Sequence, residues 1–188
     1  MRNILLLSLT YLLSYHATGQ IKKIPSYING RLDTLDFPQD FRNKSGLHIG
    51  EKLPPFNYTD ITGDTIRHTD FAGKILVLNF WFVGCVGCKQ EEPYLREMTR
   101  ELAGHDIAFV SICRSSPSKT KSYIKRHGDF GYKVISIKSG QELYDKFGVE
   151  IFASHMIIKD GVVVENIAFP FTTEDEIEWF KERILKEM

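Results

Sequence analysis

The sequence predicts an α/β domain: a mainly parallel central sheet with helices on both faces and an antiparallel edge. Three observations carry this reading. Residues 75–82, Ile-Leu-Val-Leu-Asn-Phe-Trp-Phe, form a nearly continuous apolar run bounded by Gly73 and Gly84, the pattern of a strand covered on both faces. A second such run, at residues 106–113, follows a helical stretch, so buried strands alternate with helices. Towards the C-terminus, Asp160-Gly161 joins two short apolar segments, a strong signal for a tight hairpin.

The elements follow in order. After Pro54-Pro55, residues 56–59 and 65–68 flank Thr62-Gly63-Asp64 and read as a hairpin. Beyond the first buried strand, residues 91–102 place Leu95, Met98 and Leu102 at helical spacing, with Gly104 as a stop. A helix fits residues 118–127, a third strand residues 132–137, and a short helix residues 141–147 closed by Gly148. The hairpin strands are residues 155–158 and 162–164. A capping box at Thr173 and Glu176 opens a last amphipathic helix carrying Ile177, Phe180, Ile184 and Leu185. The chain has no internal repeat and no low-complexity tract.

Its 188 residues suit one domain plus an extension, since roughly 100 to 150 residues bury enough apolar surface to stand alone. The 24 basic and 24 acidic residues leave a formal net charge of zero, so no global field draws the chain to nucleic acid or anionic lipid. A small or protein substrate is expected instead. At the N-terminus Arg2 precedes the apolar run of residues 4–13, and Ala17-Thr18-Gly19 then offers the small residues a signal peptidase requires. Residues 1–19 therefore read as a cleaved secretory signal, 20–48 as an N-terminal extension, and 49–188 as the folded domain. The run falls short of the ~20 apolar residues of a membrane-spanning helix. No cysteine follows it closely, which argues against a lipoprotein. The implied address is periplasmic or otherwise extracytoplasmic, where disulfides persist.

Two of the three cysteines stand two residues apart in Cys85-Val86-Gly87-Cys88, at the turn from the central strand into a helix. The unpaired amides and dipole of a helix start favour a thiolate there, lowering a pKa that is about 8.5 in a free cysteine. Cys88 sits one turn further along on the same side, placed to displace a partner captured by Cys85. The first sulfur should be exposed, while the second can be partly buried. A zinc site needs four ligands, typically two close pairs, and no second pair occurs at that spacing. A structural staple gains little either, because closing so short a loop removes little chain entropy. Cys113, at the end of the second strand, reads as a small buried hydrophobe without activation, though strand ends on that edge gather where sites form.

The stretch Gly73-Lys74-Ile75-Leu76-Val77-Leu78-Asn79-Phe80-Trp81, then Cys85-Val86-Gly87-Cys88-Lys89, then Glu91, Pro93 and Leu95, resembles the thioredoxin-like disulfide oxidoreductases of the TlpA and ResA type. The similarity extends to residues 49–56 and to Asp160-Gly161. The resemblance implies a thioredoxin-like fold with a central mixed β-sheet, flanking helices and an N-terminal β-hairpin. It implies an extracytoplasmic thiol-disulfide oxidoreductase with Cys85 as nucleophile, Cys88 as resolving thiol, and Trp81 packed beside the pair. Phe152 and Ala153 fall on the substrate-facing loop. No cofactor is implied, and the expected partners are protein thiols or disulfides and a membrane electron donor, with reduction the usual direction and a monomer the expected state. Glu91 matches an acidic residue associated with proton handling, and an ionised carboxyl near the pair disfavours thiolates. The plainer reading is a solvated first-turn glutamate, the role expected of Glu92.

The chain departs from the family at Ala153, where a cis-proline is usual. Without proline a cis bond costs about 2.5 to 4 kcal/mol, so a trans peptide and a differently placed loop are expected. Ser154 or His155 then has the option of facing the cysteines and completing a metal site or a base. A second function follows, a copper or zinc thiol carrier or chaperone using Cys85, Cys88 and His155. Against it, His155 reads more simply as a strand residue facing solvent or the sheet. Copper carriers of the Sco type place three residues between their cysteines, where this chain has two. A peroxidase lacks support because Phe82 stands where a threonine is expected before a peroxidatic cysteine.

Overall fold

Strand β5 (Ile75–Trp81) is buried at all seven residues, as a strand with elements on both faces must be. The computed structural model describes residues 22–28 and 31–188, so the secretory signal read at residues 1–19 lies outside the described residues. Around β5 the described elements are β1 (Lys22–Ile28), β2 (Arg31–Phe37), β3 (Asn57–Thr59), β4 (Thr65–Arg67), α1 (Val86–Glu101), β6 (Ile107–Cys113) and α2 (Pro117–His127). They continue through β7 (Lys133–Ser136), α3 (Gly140–Phe147), β8 (Ser154–Lys159), β9 (Val162–Ile167) and α4 (Glu174–Lys186).

The central sheet runs β7-β6-β5-β8-β9. β5 pairs parallel with β6, and β6 with β7, whereas β5 to β8 and β8 to β9 are antiparallel. The expected mainly parallel sheet is thus evenly mixed, the architecture of the thioredoxin-like fold. The closing hairpin docks directly on the free side of β5 rather than at a remote edge, so it contributes half of the pairings.

Alternation along β5 divides the interior in two. Ile75, Val77 and Trp81 face a cluster under α1 and α4 that includes Leu95, Met98, Phe180 and Ile184. Leu76, Leu78 and Phe80 face the other cluster, built with Leu143 and Phe147 of α3 and with Phe56 and Ile66 of the β3–β4 hairpin. Asn79 shares the first face by parity and is the one polar residue in the strand. Helix α1 opens at Val86, five residues before the expected start. The periodic signal is silent there because Gly87, Lys89 and Gln90 carry no apolar stripe.

The stretch ahead of the domain, unassigned from sequence, begins with β1 and β2 paired antiparallel from Lys22↔Phe37 to Ile28↔Arg31. Past it, residues 37–50 are stitched along β9. The Ala168 amide donates to the Phe41 carbonyl, the Gly46 amide to Gly148 and the Gly50 amide to Val163. This covers an edge strand whose backbone groups would otherwise be open to another chain. Gly46 and Gly148 approach closely enough that a Cβ on Gly148 would lie 3.1 Å from the Gly46 backbone. Phe37 is buried with its ring against Phe169 and Trp179.

A buried carboxylate ties this strap down. Glu165 of β9 is 1 % exposed and accepts two bonds from the Arg42 guanidinium at 2.8 and 2.7 Å and one from Arg183 of α4 at 3.0 Å. Fork-to-carboxylate pairing is the strongest form of ion pair a side chain makes. Arg42→Leu leaves this buried charge with one cation fewer. Because Arg42 is part-exposed, the expected loss is about 2 kcal/mol, below the ~3–5 kcal/mol of a fully buried pair. Urea denaturation should show a lower midpoint at an unchanged slope.

Candidate active site

Cys85 occupies the N-cap of α1, with extended backbone angles, and its Sγ accepts the Cys88 backbone amide at 3.2 Å. One of the orphan amides that every helix start leaves is thereby aimed at sulfur. Cys85 and Cys88 are joined in a disulfide with their Cα atoms 5.3 Å apart. The sulfur-bearing residues are 8 % and 5 % exposed, so the expectation of an exposed first sulfur is corrected: Cys85 is only slightly more accessible than Cys88. Neighbouring side chains close over the pair, and Val86, 73 % exposed, is what the helix start presents to solvent. Pro170 packs against Gly87, where an added Cβ would lie 3.0 Å from its ring.

Trp81 lies in the same buried cluster as Cys85, Cys88 and Ala153. Its indole N–H donates to Ser111 Oγ at 3.3 Å, and its ring meets those of Phe130 and Tyr123 at 5.4 and 5.3 Å. The Phe152–Ala153 peptide is cis, which corrects the trans bond expected from the missing proline. The surroundings define this turn: Ser154 Oγ donates to the Ile151 carbonyl at 2.7 Å, the Phe152 ring meets Phe82 edge-on at 5.5 Å, and Ala153 is 1 % exposed.

His155 does not join the cysteines. It pairs with Asn79 in the β5–β8 register, is 0 % exposed, and brings Nε2 to 3.0 Å from Glu91 Oε2. Of the two faces open to a strand residue at this position, solvent or the sheet, His155 takes the buried one, and its Nε2 is engaged by Glu91 rather than by a sulfur. Among the described residues no three of His, Cys, Asp and Glu gather so as to hold a metal. The imidazole is turned inward because Asn79 and Glu91 offer it partners on the α1 face.

Glu91 is 1 % exposed, and its Oε1 accepts Asn79 Nδ2 at 3.2 Å. Oε2 accepts the Phe171 amide at 3.3 Å beside His155. Asn79 Nδ2 also lies 3.4 Å from His155 Nδ1. One assignment satisfies every partner: the Asn79 amide donates to both Glu91 and His155 Nδ1, and a neutral imidazole donates from Nε2 to a Glu91 carboxylate. Rings of Phe171 and Phe180 wall the imidazole at 4.5 and 5.5 Å. Tyr132, whose hydroxyl is buried without a hydrogen-bond partner among the described residues, also faces this charge. Burial first, then Glu91, pushes its ionisation well above the ordinary phenol range.

Glu91 follows Cys88 by three helical positions, so the two side chains are neighbours on one face of α1. Glu92, expected to be solvated, is instead 9 % exposed and accepts the Tyr123 hydroxyl. That phenol is held neutral by burial, then by the hydrogen bond and charge of Glu92. Sequence reasoning passed over Asn79, whose only signal was a polar residue inside an apolar run. Cys113 is a free thiol, 0 % exposed, aligned with Trp81 across β5 and β6. Burial raises its pKa, against weaker opposing bonds from Thr120 and Ser115.

A profile of the AhpC/TSA family matches residues 49–166. The thiol-disulfide oxidoreductase ResA of Bacillus thuringiensis subsp. konkukian is 30% identical over 143 residues, 75% of this chain and 82% of that protein. Among solved structures, a thiol:disulfide interchange protein of the thioredoxin family from Chlorobium tepidum is similar at TM-score 0.62 and 21% identity, covering 73% of this chain and 96% of that one. A secreted Mycobacterium tuberculosis disulfide oxidoreductase is similar at TM-score 0.58 and 18% identity, covering 70% and 95%. These two carry the fold.

The raised pKa of Cys113 keeps its thiolate scarce through neutral and mildly alkaline solution. Iodoacetamide should therefore leave Cys113 unmodified in the reduced native protein and label it fully in denaturant, read by peptide mass spectrometry. Labelling in the native state at the rate of an ordinary thiol contradicts this.

Proposed function

The chain belongs to the AhpC/TSA family, and on that premise we propose that it is an extracytoplasmic reductant of protein disulfides working through Cys85 and Cys88. It is a thiol-disulfide oxidoreductase, as its ResA relatives are. The observation that carries the mechanism is the Cys88 amide aimed at Cys85 Sγ, a donor that favours the anion over the thiol.

In the reduced protein the Cys85 thiolate attacks one sulfur of a partner's disulfide; a new S–S bond forms and the partner's other sulfur leaves as a thiolate. Cys88 then attacks Cys85, closing the intramolecular disulfide and expelling the partner's second thiolate. The partner gains two electrons and this chain loses two. A dithiol donor, in the family a membrane protein, returns them.

Cys88 must lose a proton as it attacks, and the Glu91 carboxylate on the same face receives it before passing it to the departing thiolate. Asn79 and His155 hold the Glu91 carboxylate in position for this, so they are positioning residues. Support for an extracytoplasmic site comes from the apolar run after Arg2 and the small residues before Gln20. We assign residues 20–48 as an extension bound to the domain of 49–188, and the working unit as a monomer.

With Cys88→Ser, a disulfide-bonded protein substrate should accumulate as a mixed disulfide on Cys85, visible on a non-reducing gel; Cys85→Ser should trap nothing. Insulin reduction driven by dithiothreitol tests direction, and a chain that oxidises reduced substrate but cannot reduce insulin refutes the reductant reading. Glu91→Gln should slow exchange about 100-fold near neutral pH, and His155→Ala should slow it less, while the disulfide still forms in both. Unaltered exchange rates in both variants reject the proton role.

A further inference from the structure

Three cations crowd the segment that leads into the disulfide, in a chain whose net charge is zero. Arg114 follows β6, and its backbone amide donates to the Trp81 carbonyl at 2.8 Å, which pins it one position past the end of β5. Its guanidinium lies 5.2 Å from the Phe82 ring centroid and 4.9 Å from that of Phe152. Phe82 is joined to the Cys85 amide through its carbonyl, and Phe152 precedes Ala153 of the cysteine cluster. Arg114 is thus an exposed cation laid on a two-ring ledge bordering the disulfide, with no carboxylate partner among the described residues.

On the other side of Val83 opens a cleft of about 400 Å³ whose walls include Lys119, Tyr123 and Arg126. Neither Lys119 nor Arg126 makes an ion pair among the described residues. Glu92, 9 % exposed and not part of the cleft's lining, accepts the Tyr123 hydroxyl. Glu150, two residues before Phe152, is exposed and makes no ion pair with Arg114 among the described residues. Exposed Val86 and Ile151 add apolar surface on this face.

Resting on the exchange reading above, we propose that this face docks a protein partner carrying acidic residues beside its reacting disulfide. A guanidinium fixed flat on aromatic rings keeps its N–H forks free for a carboxylate and loses little freedom on binding one. Lys119 and Arg126 extend the positive field along the partner chain. Attraction of this kind acts chiefly on the association rate and fades as salt shortens its range.

The probes are three synthetic cystine peptides identical except that glutamate, glutamine or lysine flanks the cysteines, with neutral hydroxyethyl disulfide as control. Stopped-flow rates of their reduction by the reduced full chain should rank acidic over neutral over basic. The acidic-to-basic ratio should be about tenfold or more at low salt and collapse at high salt. Arg114→Glu and Arg126→Glu should each shrink that ratio; because it is read within one variant, a general loss of activity cancels. Equal peptide rates at low salt, with hydroxyethyl disulfide reduced normally, overturn the docking proposal and leave disulfide exchange standing. Failure to reduce any of the four overturns the exchange reading and the docking proposal with it.

Discussion

The Cys88 amide, one of those that any helix leaves unpaired at its start, is aimed at Cys85 Sγ, and the whole molecule serves to place that start. β5 is buried on both faces, so its end cannot shift without disturbing both apolar clusters. Cys85 follows that end after one short turn, closed by its amide on the Phe82 carbonyl at 3.1 Å. The helix must then begin at Val86, and Cys88 falls one turn in, with its amide facing back at Cys85. Strand burial therefore fixes the chemistry through geometry. The same rigidity sets Arg114, since β6 runs parallel to β5 in register from Ile75↔Ile107 to Trp81↔Cys113.

The second constraint is what the α1 face allows underneath the cysteines. Asn79, His155 and Glu91 come from a central strand, its antiparallel neighbour and the helix above, and each would be costly to bury alone. Together they hydrogen-bond one another, with the Phe171 amide as a further donor. The network is an arrangement of mutual satisfaction, so losing one member strands the others. This explains why a polar residue interrupts an otherwise apolar strand: the Asn79 amide bonds both members of a directly paired imidazole and carboxylate.

Much of this was legible in the chain. The apolar run of residues 75–82, the helix spacing of Leu95, Met98 and Leu102, and the Asp160-Gly161 turn depend on local periodicity and turn chemistry, and each matches an element within a few residues. The Thr173 capping box is formed as its spacing suggests. The inward turn of His155 was not legible, because a strand residue's face depends on register, and register with β5 is set by pairing at a distance. The cis Phe152–Ala153 bond left no mark without proline. The β1–β2 hairpin carries an Asn29-Gly30 turn signal but no alternation in its strands, and the strap along β9 rests on an ion pair between residues 42 and 165, a separation no local pattern reports.

Two glutamates are each 1 % exposed in this protein, and their surroundings separate their uses. Glu165 is met by Arg42 and Arg183, so its charge is matched by cations and protonating it would break ion pairs on two elements. That carboxylate is committed to holding the strap. Glu91 is held by an asparagine amide, a backbone amide and an imidazole, all of which can be neutral donors. Its partners are two amides and a ring nitrogen, so no guanidinium is committed to it. Of the two buried carboxylates, the one that holds the strap is bound by two guanidinium groups, and the one a helical turn from Cys88 is bound by amides and an imidazole that carry no fixed charge.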